Sequence, residues 1–191
     1  MDELVGKVVE HLEKLDLRED TIIVFQSDHG HSIESRTFGG GGNSGPYRGA
    51  KGSLFEGGIR VPSIISWPKK IPAKETRSQM ATGCDWHPTL AEFCGAKLPK
   101  GRKLDGKSLV EIIGNEKAMS PHKTFYWQLG PQTVVREGDW KLLISPRDHN
   151  RPEDREPAGK VFLANLAQDP GESKNLAKEH PEIITRLMRL R

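Results

Sequence analysis

Apolar residues recur at helical spacing from the start of the chain. Leu4, Val5, Val8, Val9, Leu12 and Leu15 predict an amphipathic helix over residues 2–16, with its apolar stripe turned to a core. The turn LREDT leads into residues 21–26 (TIIVFQ), a run too continuously apolar for a half-exposed strand. It reads as a central strand of a parallel sheet covered on both faces. A second strand is expected around Val61, Ile64, Ile65 and Trp67, opened by Pro62 and closed by Pro68. Short helices are expected over residues 85–95, where Pro88 lies in the first turn and Gly95 stops it, and over 108–113, stopped by Gly114. Beyond residue 120 the period shortens: TFYWQL, TVVRE, DWKLLIS and KVFLANL are strand-like runs separated by turn signals, and residues 179–191 read as a closing helix. The pattern predicts an α/β part over residues 1–118 and a small antiparallel sheet with one helix over 119–191.

Two stretches break this order. Residues 30–50 carry seven glycines, and a loop of that length inside a compact domain is usually functional or mobile. The proline-rich PRDHNRPEDREPAG reads as a polar loop. A net charge of +3, from 29 basic and 26 acidic residues well interspersed, argues against nucleic acid as a partner. MDELVGKVVEHLEKLDLRED has no basic cap or apolar core of a signal peptide, and no run approaches the ~20 apolar residues of a membrane span. The chain as written is therefore expected in the cytoplasm, away from the membrane. Cys84 and Cys94 fit no metal-finger spacing and read as two partly buried free thiols.

The chemistry concentrates where residues 21–26 end in Ser27-Asp28-His29-Gly30-His31. Ligands of open α/β sheets gather at the carboxyl ends of strands, and Gly30 frees the backbone to turn. An Asp oxygen suits a hard cation and a His nitrogen a transition metal, so the pair fixes neither metal nor geometry. Its alternative is an Asp capping a turn beside an exposed His. His31 reads as a polar loop residue or a further contact to substrate.

About twenty residues later comes RGAKGSLFEGGIRVP, residues 48–62. A strand-end SDHG, a glycine-rich loop and this segment together resemble the sulfatase family, formylglycine-dependent hydrolases of the alkaline-phosphatase-like superfamily. Asp85-x-x-Pro88-Thr89-Leu90, Asp105-Gly106-x-Ser108-Leu109, Val135-Arg136-x-Gly138-x-Trp140-Lys141-Leu142 and Leu166-x-x-Asp169-Pro170-x-Glu172-x-x-Asn175-Leu176 continue the likeness through the C-terminal half of such an enzyme. The resemblance implies the C-terminal part of an alkaline-phosphatase-like α/β sandwich plus a small antiparallel sheet subdomain with a C-terminal helix. It implies Asp28 and His29 as ligands of a metal, usually Ca²⁺ with Mg²⁺ possible, and Lys51 as the lysine that contacts the substrate's sulfate. A metal and an ammonium there would stabilise charge building on the ester oxygens. Glu56 and Arg60 read as a buried structural pair, and the glycine-rich loop 39–45 as a mobile segment beside the site.

The family's nucleophile is a formylglycine made from the Cys or Ser of a Cys/Ser-x-Pro-x-Arg segment. Neither Cys84 nor Cys94 begins one, and the expectation is that no serine does either, so the nucleophile would lie upstream. Two ligands also fall short of the roughly six to eight that Ca²⁺ takes. The chain is accordingly expected to be a sulfatase's C-terminal part, from a truncated or split gene or a fragment. It would be inactive alone on an aryl or carbohydrate sulfate ester and able to self-associate through an uncovered sheet. Full-length relatives are often periplasmic or secreted. The alternatives are a phosphonate or phosphodiester hydrolase of the same superfamily and a non-catalytic remnant acting as a binding module.

Overall fold

The computed structural model describes residues 1–35, 38, 40–149, 153 and 155–191. Gly39 of the glycine-rich loop, and residues 150–152 and 154 of the proline-rich loop, lie outside them. The chain forms two compact units, each drawn from two stretches of sequence: Met1–Gln26 with Ser63–His122, and Ser27–Pro62 with Lys123–Arg191. Residues 27–62, expected with the α/β part, thus group with the C-terminal sheet.

In the first unit, helix α1 (Asp2–Lys14) opens with Asp2 and Glu3 and closes with His11 and Lys14, charges that oppose the helix dipole at each end. None of its residues is buried; Leu4 and Val8 of the expected core stripe stand exposed. Strand β1 (Ile23–Gln26) pairs antiparallel with β2 (Ser63–Ser66), Ile23 opposite Ser66 and Gln26 opposite Ser63. The expectation of a covered parallel strand fails here. The chain leaves β1 and returns through Pro62 in the opposite sense, β2 is the only described strand that pairs with it, and Phe25 and Ile64 remain exposed.

The motif Asp85-x-x-Pro88-Thr89-Leu90 is structural. Asp85 is fully buried in a short 3-10 turn before α3 (Trp86–Phe93), and its carboxylate accepts from the backbone N–H groups of Thr82 and Lys107, each at 2.8 Å. The same carboxylate meets His122 Nε2 at 2.8 Å. Thr89 Oγ1 donates to Asp85 O and accepts from Leu109 N, which ties α3 to the start of α4 (Val110–Gly114). Leu109, Ile112 and Ala118 close a small core with Trp86 and Ile113. The two cysteines are free but exposed rather than partly buried. None of the described helices is long and apolar enough to cross a membrane.

The second unit is built on an antiparallel meander: a short helix α2 (Glu56–Ile59) precedes β3 (Thr124–Leu129), β4 (Gln132–Glu137), β5 (Trp140–Ile144) and β6 (Val161–Asn165), paired in that order. Side chains alternate across the sheet. Val134, Leu143 and Phe162 join Leu54, Phe55 and Ala158 in one core. Val135, Leu142 and Leu163 point to the other, where α5 (Pro181–Met188) supplies Leu187, Ile183 and Ile184. One face of the sheet is thus covered by the closing helix, and the other by the segment that follows the SDHGH loop.

Candidate functional site

The loop after β1 is fixed by backbone bonds. Ser27 N donates to Pro62 O at 3.2 Å and Gly30 N to Gly58 O at 2.9 Å. At Gly30 the approach is so close that an added Cβ would lie 1.9 Å from Gly57 O, so only glycine fits. Asp28 is left 84% exposed and His29 38%. His29 Nδ1 lies 2.7 Å from Gly30 O, and a carbonyl only accepts, so Nδ1 carries the proton. Nε2, the other ring nitrogen, faces Asp28 Oδ2 at 3.2 Å. Two donors about 2.3 Å from one cation at a right angle would stand ~3.2 Å apart, so the pair fits two adjoining positions of a metal shell. The described residues contain no group of three or more His, Cys, Asp or Glu that could hold an ion. The pair therefore fits as a part of such a shell.

Lys51 is brought to this loop by its backbone: its N–H donates to His31 O at 3.0 Å. Its ammonium lies 3.4 Å from Glu34 Oε2 and is partly exposed. Asp28, His29, His31 and Lys51 thus all sit in the second unit, the first three on one loop and Lys51 bonded to its end. Arg48, at the head of the lysine's segment, is fully buried. It donates to both Asp148 oxygens at 2.9 and 2.6 Å and to the carbonyls of Glu172 and Glu156, and it lies over the rings of Phe55 and Phe162. Every donor of this guanidinium is used or enclosed, so Arg48 holds the loop and is not offered to a ligand.

Beneath the loop lies a charged cluster that sequence reasoning missed. Lys141 of β5 is fully buried, 2.8 Å from Glu56 Oε1 and 2.9 Å from Glu172 Oε1, the second an ion pair rather than an aligned hydrogen bond. Glu56 N donates to Glu172 Oε2 at 2.6 Å. Burial pushes the Glu172 carboxyl above the usual carboxylate range. Burial pushes Glu56 the same way, but the Lys141 ammonium, with Arg136 and Arg60 behind it, outweighs that and holds Glu56 below it. Two carboxylates share one ammonium and respond in opposite senses. The expected Glu56–Arg60 pair is the weaker contact: Arg60 is half exposed, 3.6 Å away, and stacks on Tyr47. A lysine between Trp140 and Leu142 in an otherwise apolar strand was the available signal.

One serine does meet the spacing of the nucleophile segment, against expectation: Ser44-Gly45-Pro46-Tyr47-Arg48. Its surroundings are those of a turn. Ser44 Oγ lies 2.9 Å from Tyr47 O and 3.3 Å from Gly49 O, and the arginine of the match is the enclosed Arg48.

The fold is that of a class, the alkaline-phosphatase-like sulfatases. Residues 1–96 match the family model described as Sulfatase, and residues 50–190 the one described as N-sulphoglucosamine sulphohydrolase, C-terminal. The chain belongs to the sulfatase family. It is 35% identical to steryl-sulfatase of Mus musculus over 212 aligned positions, covering 96% of this chain and 34% of that protein. It is 34% identical to a sulfatase of Formosa agariphila over 196 positions, covering 95% and 34%. The solved structure of BT4656 in complex with its substrate D-glucosamine-2-N,6-O-disulfate superposes with a TM-score of 0.69 at 27% identity, over 99% of this chain and 37% of that one. The chain spans about a third of the length of these relatives.

Proposed function

We propose that this chain carries part of the metal and sulfate site of a sulfuric ester hydrolase. The observation that carries the reading is the Asp28 carboxylate and His29 Nε2, 3.2 Å apart, on a loop whose last residue, His31, is bonded to Lys51. Asp28 and His29 would hold a divalent cation, Ca²⁺ or Mg²⁺, which when bound supplies positive charge to the sulfate oxygens. Lys51 supplies a second positive charge from a loop whose position is set by Arg48, so little reorganisation is needed when ester charge develops. His29 keeps its Nε2 turned outward because Nδ1 is held by Gly30 O. His31, on the same loop, would add a further contact to the substrate. The formylglycine nucleophile would come from residues outside this chain, so the chain alone would not turn over an ester. In the complete enzyme residues 1–118 would belong to the α/β sandwich and 119–191 to the small sheet subdomain. The exposed stripe of α1 and the open β1–β2 pair would be covered there, or by a second copy of the chain.

Calorimetric titration of the 191-residue chain with Ca²⁺ tests the metal half. Weak binding that Asp28→Ala abolishes and His29→Ala reduces is expected; binding indifferent to both substitutions sinks the assignment. Robust hydrolysis of an aryl sulfate by the pure chain would sink the claim that it is inactive alone.

A further inference from the structure

After β5 the chain doubles back over the segment that carries Lys51, and it is pinned there residue by residue. Ser53 Oγ donates to Arg147 O at 2.8 Å, and Arg147 N donates to Gln132 Oε1 at 2.8 Å. The other end of the same Gln132 amide donates to Gly52 O at 2.9 Å. Asp148 takes the Arg48 fork, and His149 Nε2 donates to Lys51 O at 3.0 Å. Residues 147–149 and 48–53 therefore form one assembly with Lys51 in its middle.

Within that assembly the Arg147 side chain has no internal use. It is exposed, and among the described residues it makes no ion pair or hydrogen bond through its guanidinium. It lies across Gly52, the neighbour of Lys51, with Nη1 3.2 Å from where a Cβ at 52 would be. A side chain at that position would crowd it aside, and Gly52 has a positive φ of 85°, which favours glycine in its own right. An ordinary surface arginine hangs from a free backbone; this one is held on both sides of its Cα and laid over the residue next to the proposed sulfate lysine.

We propose that Arg147 is a specificity-determining residue that takes a second anionic group of the substrate. The inference rests on the reading of Lys51 as a sulfate contact and names the substrate class: a carbohydrate sulfate with a second sulfate or a carboxylate close to the scissile ester, rather than a neutral steroid or aryl sulfate. A sulfate monoester carries one negative charge, which Lys51 and a cation at Asp28 and His29 already meet. A further guanidinium is surplus for such a ligand. Its planar fork matches two oxygens of a sulfate or carboxylate, where a lysine would offer a point charge.

The test is an NMR titration of the 191-residue chain at low salt with glucosamine 2-N-sulfate and glucosamine 2-N,6-O-disulfate, probes that differ by one anionic group. The disulfate is expected to bind about tenfold more tightly. Arg147→Gln should bring that ratio to about two, Arg147→Lys should leave it in between, and Lys51→Met should weaken both ligands alike. Retention of the amide spectrum shows each variant folded. A ratio unchanged in Arg147→Gln, with both ligands still weakened by Lys51→Met, overturns the proposal and leaves the sulfate lysine standing. Binding of both ligands indifferent to Lys51→Met, or absent from the wild-type chain, overturns the lysine assignment and this proposal together.

Discussion

Replacing Lys141 by Met is the sharpest test of how the candidate site is held. Among the described residues the ammonium is the only charge that faces both Glu56 and Glu172 at ion-pair distance, 2.8 and 2.9 Å, and all three side chains are buried. Met keeps the volume and removes the charge, leaving two buried carboxylates with no buried ammonium between them and, at ion-pair distance among the described residues, only the half-exposed Arg60, 3.6 Å from Glu56. Removing one partner of a buried pair costs about 3–5 kcal/mol, set against a total stability of about 5–15 kcal/mol. For a chain of this size each kcal/mol moves Tm by about 2–4 °C, so a fall on the order of 10 °C is expected. The pH dependence identifies the cause. With no ammonium, the native state is stable with the carboxyls protonated, whereas in the unfolded chain they ionise near 4.5. The native variant binds more protons than the unfolded one, so its stability falls as pH rises, by up to ~1.4 kcal/mol per unit for each carboxyl. Thermal unfolding followed by tryptophan fluorescence at about pH 5 and about pH 8 should show the deficit growing toward alkali. A shift under about 3 °C at the higher pH, equal to that at the lower, would refute the account of the cluster. Adding Glu56→Gln and Glu172→Leu should restore much of the loss, because an apolar replacement of the whole group is tolerated better than a broken one.

Glu172→Gln should act with the opposite slope to Lys141→Met. The raised Glu172 carboxyl contributes stability below its unfolded value of 4.5 and loses it as pH rises through the folded one. Tm of the variant should accordingly improve against wild type between about pH 5 and about pH 8, and a parallel pair of curves would count against this. Gly30→Ala places a methyl 1.9 Å from Gly57 O and breaks the bond to Gly58, at a cost of about 1–3 kcal/mol; calorimetry should find calcium affinity lowered together with Tm. Asp85→Ala strands the N–H groups of Thr82 and Lys107 and the His122 ring, and should cost about 2–4 kcal/mol by urea unfolding, whereas Asp85→Asn keeps acceptors for two of them and should cost less.

The local elements were legible because their signals are local. The run TFYWQL is β3 residue for residue, and the alternation of Val134 with Val135 and of Leu142 with Leu143 assigns the two faces of the sheet. The helices over 86–93 and 181–188 are marked by Pro88 and Pro181 in their first turns. What the pattern did not carry is pairing over distance. The direction of β1 against β2 depends on where the chain re-enters, not on the apolar run itself, and so the antiparallel pair was misread. Glu56 was read as buried but with Arg60 as its partner, and Lys141 and Glu172, 85 and 116 residues further on, look like ordinary charges until the chain is folded. Asp28, His29 and Lys51 were found as members of motifs, and their bonds to Gly30 and His31 add a geometry to that choice. Arg147 and His149 sit in a run that reads only as polar loop, and nothing in their neighbours announces that they are bonded to Ser53 and to Lys51.

The separation between Arg48 and the residues that enclose it has a consequence for synthesis. Arg48 is bonded to Asp148 100 residues later and to Glu172 124 residues later. A growing chain therefore makes the SDHGH loop and Lys51 long before Arg48 has the partners that enclose it, and until the Asp169-Pro170-Gly171-Glu172 turn is added the loop rests on its bonds to Gly58, Pro62 and Lys51. The order of emergence from the ribosome makes the Glu172 turn a late step in fixing a loop made more than a hundred residues earlier. A premature stop between Arg147 and Glu172 would leave every one of the proposed ligands in the product while removing the Glu172 carbonyl that encloses Arg48.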